Sequence, residues 1–113
     1  MTESPVRTTD AGVVVVRPEG RLNMTVAPAL REQLHGLVRE GKARLVVDLS
    51  AVDAIDSSGL GALISGLKAA RQGNGDLRIA APCEQVKAVL ELTNLNRVLK
   101  TAESADTAFD ESA

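Results

Sequence analysis

Two adjacent serines begin a predicted helix in IDSSGLGALISGLKAA, residues 55–70, and their hydroxyls could do chemistry. Ser57 lies where a helix N-cap residue would lie, so its hydroxyl could accept a backbone N–H bond from the first turn. If it does, Ser57→Ala should leave the protein folded and cost about 1 kcal/mol of stability. The same hydroxyl could instead act as a nucleophile, or accept a phosphate from another protein.

A nucleophilic role for these serines lacks the surrounding residues that it needs. The elbow of serine hydrolases has the pattern G-x-S-x-G, and neither Ser57 nor Ser58 has a glycine two residues before it. The only histidine, His35, falls in the middle of a predicted helix far upstream, where we expect a surface position. A self-contained enzyme is therefore disfavoured.

The glycines of this region do not form a nucleotide-binding loop either. Gly61 and Gly66 have the spacing of a phosphate-binding loop, but Leu67 follows where that loop has its lysine. The dinucleotide fingerprint fails because an isoleucine occupies its third glycine position. One cysteine, Cys83, and one histidine do not make a zinc cluster, so we expect no metal and no cofactor.

Phosphorylation of Ser57 is the second interpretation that these residues support. Gly59 and Gly61 carry no Cβ, so the surface of another protein could approach the serine closely. A phosphate would meet the positive end of the helix, yet Asp53 and Asp56 lie close in sequence and would repel it. An interface built for a neutral serine would then be broken. Capping and a phosphorylation switch both remain open at this point.

The elements that must position the serines follow an α/β pattern. Residues 12–22 and 44–50 are apolar runs typical of strands, and the segment before residue 12 could pair with the first run as a hairpin. Leucines at helical spacing predict a helix over residues 25–42, with Thr25 as a candidate N-cap and Gly41 as its stop.

The remaining elements alternate in the same way after the serines. In order, they are a helix from Ser58 to about Gln72, a strand over residues 76–81, a helix opened by Pro82 and a short strand over residues 98–101. A final helix is predicted over residues 104–111, with Ser104 as its N-cap and with Ala108 and Phe109 packing it against the rest of the domain. The order β-β-α-β-α-β-α-β-α implies a mostly parallel sheet covered by helices. In such sheets, sites form where strands end and helices begin, which is where the serines lie.

The composition fits one soluble domain of 113 residues and excludes several classes of function. Charged residues make up 25% and the net charge is −2, so no basic surface favours nucleic acid. Aromatic residues are 1%, which disfavours a large stacking surface for bases or sugars. No apolar run approaches the length of a membrane span and the first residues lack a signal peptide, so we expect a cytoplasmic protein.

Three stretches together resemble the STAS domain family, specifically the bacterial anti-sigma factor antagonists. LVVDLSAVDAIDSSGLGAL resembles the family signature, a hydrophobic strand and an aspartate before D-S-[ST]-G-[LIV]-G. EGRLNMTVAPALREQL resembles the segment from a strand into the first helix, and GNGDLRIAAPCEQVKAVLELTNLNRVL the next strand and third helix. The match, from about Val13 to Phe109, implies a single domain over residues 1–113 with its core at about 12–110. The implied fold is a mixed, mostly parallel sheet of four to five strands, with helices packed on one side.

This resemblance implies partner switching rather than catalysis. In the family, the unphosphorylated antagonist binds an anti-sigma factor that is a GHKL-type serine kinase, which frees a sigma factor or another target. The kinase phosphorylates the first serine of the motif, here Ser57, and the antagonist dissociates until a PP2C-type phosphatase restores it. The chain would then be a kinase substrate without a cofactor, a monomer when free, and a binder of neither nucleic acid nor membrane.

We expect the residues around Ser57 to bind the partner. They are Asn23, Met24, Thr25, Asp56, Ser58, Gly59, Leu60 and Gly61. Many antagonists carry an aspartate where this chain has Asn23. Asparagine keeps a hydrogen-bond acceptor without the charge, so a partner arginine would lose a bidentate salt bridge there. The competing interpretation is a non-phosphorylated STAS scaffold subunit of a membrane transport complex.

Overall fold

A computed structural model describes residues 4–109, in which strands and helices alternate along the chain. The strands are β1 (Val6–Thr8), β2 (Val14–Val16), β3 (Gly20–Leu22), β4 (Arg44–Asp48), β5 (Val52–Ile55), β6 (Asp76–Ala80) and β7 (Thr101–Ala102). The helices are α1 (Ala27–Arg39), α2 (Ser57–Gln72) and α3 (Glu84–Leu92), and short 3-10 turns lie at Leu95–Arg97 and Ala105–Thr107. Within residues 4–109, no helix has the length and apolarity needed to cross a membrane.

The apolar runs form a five-stranded sheet with the order β1-β2-β4-β6-β7. β1 and β2 are an antiparallel hairpin, and every other neighbouring pair in this sheet is parallel. Each parallel pair is joined by a connection that contains an α-helix, as parallel strands require. The predicted mixed, mostly parallel sheet and its N-terminal hairpin are confirmed.

The sheet buries apolar side chains on both faces, because successive residues of a strand point to opposite sides. Val14 and Val16 belong to the larger core cluster, to which all three α-helices contribute. Val13 and Val15 belong to a smaller cluster on the other face, which Ala105 of the C-terminal turn helps to close. The helices therefore pack on one side of the sheet, as the family resemblance implied.

The strand predicted over residues 12–22 is in fact two strands in different sheets. β2 ends at Val16, and Pro18, which follows it, has no N–H for a sheet ladder. β3 begins at Gly20, whose φ of +78° is a backbone conformation that favours glycine. β3 then pairs in parallel with β5, a segment for which the sequence pattern predicts no strand.

The first helix lies where its leucine spacing predicts it, but its start differs. α1 begins at Ala27 with Val26 in the N-cap position, so the prediction that Thr25 caps it is wrong. Thr25 instead donates its backbone N–H to Asn23 Oδ1 at 3.0 Å. Gly41, with a φ of +86°, follows the end of α1, where the sequence predicts the stop.

In the last third of the chain, the helix and the strand also begin and end at other residues than predicted. α3 begins at Glu84 rather than at Pro82, and Cys83 takes the N-cap position while packing half-buried against the core. The short strand is β7, at Thr101–Ala102 rather than at residues 98–101, because residues 95–97 form a 3-10 turn first.

The C-terminal segment covers the face of the sheet that the helices leave open. The predicted helix over residues 104–111 is only the 3-10 turn, with no side-chain cap from Ser104, and residues 110 and 111 lie outside the described range. A segment this short gains too little from helical hydrogen bonds to offset the cost of starting an α-helix. Phe109 docks the segment as predicted, with guanidinium carbons of Arg78 and Arg44 at 4.3 Å and 5.1 Å from its ring centre.

Candidate functional site

Asp56 caps the N-terminus of α2, and Ser57 is already the first residue of the helix. Asp56 Oδ1 accepts the backbone N–H of Gly59 at 3.0 Å, which is the bond expected of the Ser57 hydroxyl. Pairing between β3 and β5 fixes the residue at which α2 begins, because the Asp56 N–H donates to the Leu22 carbonyl at 3.2 Å where the two strands end. The prediction that Ser57 caps the helix is therefore wrong.

The Ser57 hydroxyl is exposed and has no hydrogen-bond partner among residues 4–109. The positive end of α2 favours an anion, but the carboxylate of Asp56 already lies there. A phosphate on Ser57 would add about −1.5 to −2 charges beside that carboxylate. The serine can thus be modified without loss of a native bond, and its surroundings would then become strongly anionic.

The loop between β3 and α1 lies beside the start of α2. Asn23 is half-buried and organises this loop, since its carbonyl accepts the N–H groups of Val26 and Ala27. Its Oδ1 accepts the Thr25 N–H and keeps a second lone pair, and its Nδ2 amide can donate as well. Asn23 therefore keeps both an acceptor and a donor for a partner, and its expected contact with the partner stays a prediction.

The expected partner-binding residues divide into an exposed set and a buried set. Met24 is 72% exposed, and Gly61 also lies on the surface. Leu60 is only 6% exposed, and Gly59 is buried so closely that a Cβ there would overlap the end of β3. In this conformation, Gly59 lies against Leu22 at the end of β3 and Leu60 packs into the larger core cluster, while the exposed residues remain on the surface.

Two open depressions flank Ser57. The β5 cleft is lined by Arg21, Asn23, Asp53, Ile55, Asp56 and Gln85. The α1–α2 groove is lined chiefly by Met24, Pro28, Arg31, Ser58, Gly61 and Ser65. Neighbours in sequence divide between the two, since Asp56 faces the cleft and Ser58 faces the groove. Ser57 therefore lies on the ridge that separates them.

The structure brings the single histidine to a serine, but not to a serine of the motif. His35 Nε2 lies 2.7 Å from Ser65 Oγ, and Arg31 Nε donates to the same oxygen at 3.1 Å. No carboxylate in the described range bonds to His35, so the Ser-His-Asp arrangement of a hydrolase is not formed there. Residues 4–109 also contain no group of three or more His, Cys, Asp or Glu side chains that could hold a metal ion.

Sequence reasoning missed Arg31 and Ser65 as lining residues of the α1–α2 groove. The available signal was the spacing of Ser58, Gly61 and Ser65, which places small residues on one face of a helix. Arg31 carried no such signal, because it lies 34 positions from Ser65 and only the packing of α1 on α2 joins them.

Comparison with known proteins identifies the family and the fold. The STAS domain family matches residues 4–108 of the chain. A Thermotoga maritima protein named as a candidate anti-sigma factor antagonist is 31% identical over 100 residues, which is 88% of each chain. A crystal structure with that description, also from Thermotoga maritima, has a TM-score of 0.88 at 30% identity and covers 96% of this chain and 92% of its own.

Other solved structures extend the likeness. An anti-sigma factor antagonist from Mycobacterium paratuberculosis has a TM-score of 0.82 at 30% identity, with 93% of this chain and 88% of the other covered. The anti-sigma factor antagonist SpoIIAA in its unphosphorylated form has a TM-score of 0.80 at 18% identity, covers 95% and 93%, and shows the fold alone. The chain therefore belongs to the STAS domain family, among its anti-sigma factor antagonists.

Proposed function

We propose that this chain is a partner-switching antagonist whose Ser57 is phosphorylated by its own binding partner. The unphosphorylated form binds an anti-sigma factor that is also a GHKL-type serine kinase, and so releases the target of that kinase. Phosphorylation of Ser57 abolishes binding, and a PP2C-type phosphatase restores the binding form. The chain catalyses no reaction itself, ATP belongs to the kinase, and the cycle takes place in the cytoplasm.

The observation that carries this proposal is the separation of roles between Asp56 and Ser57. Because Asp56 caps α2, the Ser57 hydroxyl is left exposed and without a hydrogen bond in the described part of the chain. A kinase can therefore take Ser57 into its active site without breaking a bond that holds the fold. A serine retained only as a cap would make the bond that Asp56 makes here.

The charges around Ser57 support a switch that acts by repulsion. The new phosphate would lie beside Asp56, with Asp53 in the adjoining β5 cleft. A partner surface that fits a neutral serine would have to accept the added charge at close range, where like charges cost several kcal/mol. SpoIIAA, which shares the fold, has been solved in both an unphosphorylated and a phosphorylated form.

Phosphosite mapping tests the proposal. The full chain with Ser57→Ala is used as bait to recover the kinase from its own cells, and the wild-type chain is then incubated with that kinase and ATP. Tandem mass spectrometry should find one phosphate, on Ser57. The Ser58→Ala variant should accept it equally well and Ser57→Ala should accept none. A phosphate on Ser58 alone, or no phosphate on the wild-type chain, would contradict the proposal.

The same recovery experiment separates the competing interpretation. A sulfate transporter family protein from Wolinella succinogenes shares the fold with a TM-score of 0.73, but at 17% identity that likeness says nothing of function. A membrane transport protein recovered in place of a kinase, with the chain unmodified under every growth condition, would favour a transport scaffold.

A further inference from the structure

The α1–α2 groove adjoins the ridge that carries Ser57, and its exposed surface is unusual in composition. At one end, Met24 presents an apolar side chain that is 72% exposed. Along the groove, the lining residues include one cation, Arg31, and no carboxylate. The β5 cleft on the other side of Ser57 differs, since two carboxylates, Asp53 and Asp56, line it together with one cation, Arg21. The groove therefore suits an acidic partner surface better than the cleft does.

Gly61 lies on the floor of the groove and has no side chain. The packing of the fold does not require a glycine at this position. A Cβ on Gly59 would lie 2.9 Å from Leu22 Cβ, and one on Gly66 would lie 2.7 Å from Leu34 Cδ1, so packing explains both glycines. A Cβ on Gly61 would meet nothing within 4 Å. Glycine weakens a helix relative to alanine, so its presence here needs a reason other than packing. Close approach by another surface provides that reason.

Arg31 is held in place without being neutralised. Its Nε donates to Ser65 Oγ at 3.1 Å, and Ser65 is in turn held by His35 Nε2 at 2.7 Å. Arg39, two turns further along α1, pairs with Glu32 at 2.9 Å, but Arg31 pairs with no carboxylate among residues 4–109. Because Nε is engaged, the two terminal nitrogens remain as a pair of parallel donors, which matches the geometry of a carboxylate.

We propose that the α1–α2 groove is the docking site for the kinase partner, which places a carboxylate side chain on Arg31 and an apolar side chain over Met24 and Gly61. This inference rests on the proposed function, because it gives the chemistry of the same partner. The carboxylate binds the terminal nitrogens of Arg31 bidentately, and the missing Gly61 side chain lets the partner backbone approach. Asn23 adds a further donor at the edge of the cleft, so the partner meets donors on both sides of Ser57.

Charge reversal tests the proposal with a matched control. Arg31→Glu and Lys68→Glu change the net charge equally, and Lys68 is exposed on α2 outside the groove. The kinase recovered with the Ser57→Ala bait is titrated against each full-length variant by calorimetry. We expect Arg31→Glu to weaken binding by about tenfold or more, as for a lost interfacial charge pair, and Lys68→Glu by less than about twofold. Thermal unfolding of both variants verifies that the fold is intact.

A second pair of variants tests the groove floor. Gly36 is also a helical glycine with room for a Cβ, its nearest neighbour being the end of the Arg39 side chain at 3.7 Å, and it lies outside the groove. Gly61→Ala should weaken kinase binding by about tenfold although the fold tolerates it, whereas Gly36→Ala should bind like the wild type. A charge swap tests the contact of Arg31 directly. When the glutamate or aspartate of the kinase that contacts Arg31 is changed to lysine, the Arg31→Glu variant should bind again.

The outcomes distinguish the two proposals. Equal affinities of Arg31→Glu and Lys68→Glu for a kinase that phosphorylates Ser57 would overturn the docking groove and leave the proposed function standing. Absence of any kinase binding by the wild-type chain would overturn both.

Discussion

At the scale of single residues, the site depends on which of two neighbours bonds to the backbone. Asp56 and Ser57 can both cap a helix, but only Asp56 has its side chain placed at the Gly59 N–H. The Ser57 hydroxyl thereby stays exposed and bonds to no described residue. A position that contributes little to folding can carry a modification without endangering the structure.

The stability of two alanine variants should differ accordingly. Ser57→Ala should change the free energy of unfolding by less than about 0.5 kcal/mol, since no hydrogen bond is lost. Asp56→Ala should cost about 1 kcal/mol because it leaves the Gly59 N–H without its acceptor. Urea denaturation followed by circular dichroism measures both values. Equal losses in the two variants would mean that Ser57 shares the capping role.

The two glycines that follow the serines should respond to alanine in opposite directions. Gly61→Ala should raise the free energy of unfolding by about 0.5–1 kcal/mol, because alanine favours the helix and its Cβ meets no neighbour. Gly59→Ala should lower it by about 1–3 kcal/mol, since the new Cβ would overlap the Leu22 backbone. Thermal and urea unfolding measure both changes. A loss of stability in Gly61→Ala would contradict the open space that the structure shows around the Gly61 Cβ position.

At the scale of elements, the β3–β5 pair assembles the site. Leu22 pairs with Ile55, so the loop after β3 and the start of α2 emerge side by side. The bond from the Asp56 N–H to the Leu22 carbonyl continues this pairing into the helix cap. Asn23, Met24 and Ser57 are therefore neighbours although they come from segments about thirty positions apart in sequence.

The C-terminal segment should contribute to the stability of the fold and not to binding of the kinase. Phe109 lies against the guanidinium groups of Arg44 and Arg78, on the face of the sheet opposite the helices. Phe109→Leu keeps the apolar contact and loses the cation–π attraction, so it should cost about 1 kcal/mol. Its affinity for the kinase should equal that of the wild type. A loss of affinity without a loss of stability would connect this face to the partner.

At the scale of the whole molecule, the two faces of the sheet are covered by different elements. The helical face carries the core and, at its edge, the exposed surface around Ser57, while the other face is closed by the C-terminal segment. The chain has a net charge of −2, and a phosphate would add about −1.5 to −2 more at one point. The change in charge would thus be concentrated on the surface that we propose binds the partner, away from the buried core.

A phosphate mimic should therefore dissociate the complex without unfolding the chain. Ser57→Asp places a carboxylate in the first turn of α2, where the helix dipole favours it, so the unfolding free energy should be retained. Its affinity for the kinase should fall by about 100-fold, the equivalent of about 2.7 kcal/mol, while Ser57→Ala should bind like the wild type. Calorimetric titration measures both, and equal binding by the two variants would contradict the switch.

The sequence by itself determined the elements that have a long internal pattern. Leucines at helical spacing marked α1 and α2 to within a few residues, and the continuous apolar run marked β4 as a strand buried on both faces. The D-S-S-G-L-G motif located the phosphorylation candidate. These features are local, because a period of 3.6 or 2 residues repeats often enough to be recognised within one segment.

Only the tertiary structure decided the features that depend on contacts between distant segments. β3 and β5 are three and four residues long, too short for a period, and only their mutual pairing defines them. The same pairing chose Asp56 over Ser57 as the cap, since it fixed the residue at which α2 begins. Gly59 and Gly61 look alike in sequence, yet only Gly59 faces another backbone. Likewise, no pattern within either helix indicates that Arg31 meets Ser65, because that contact exists only once α1 packs on α2.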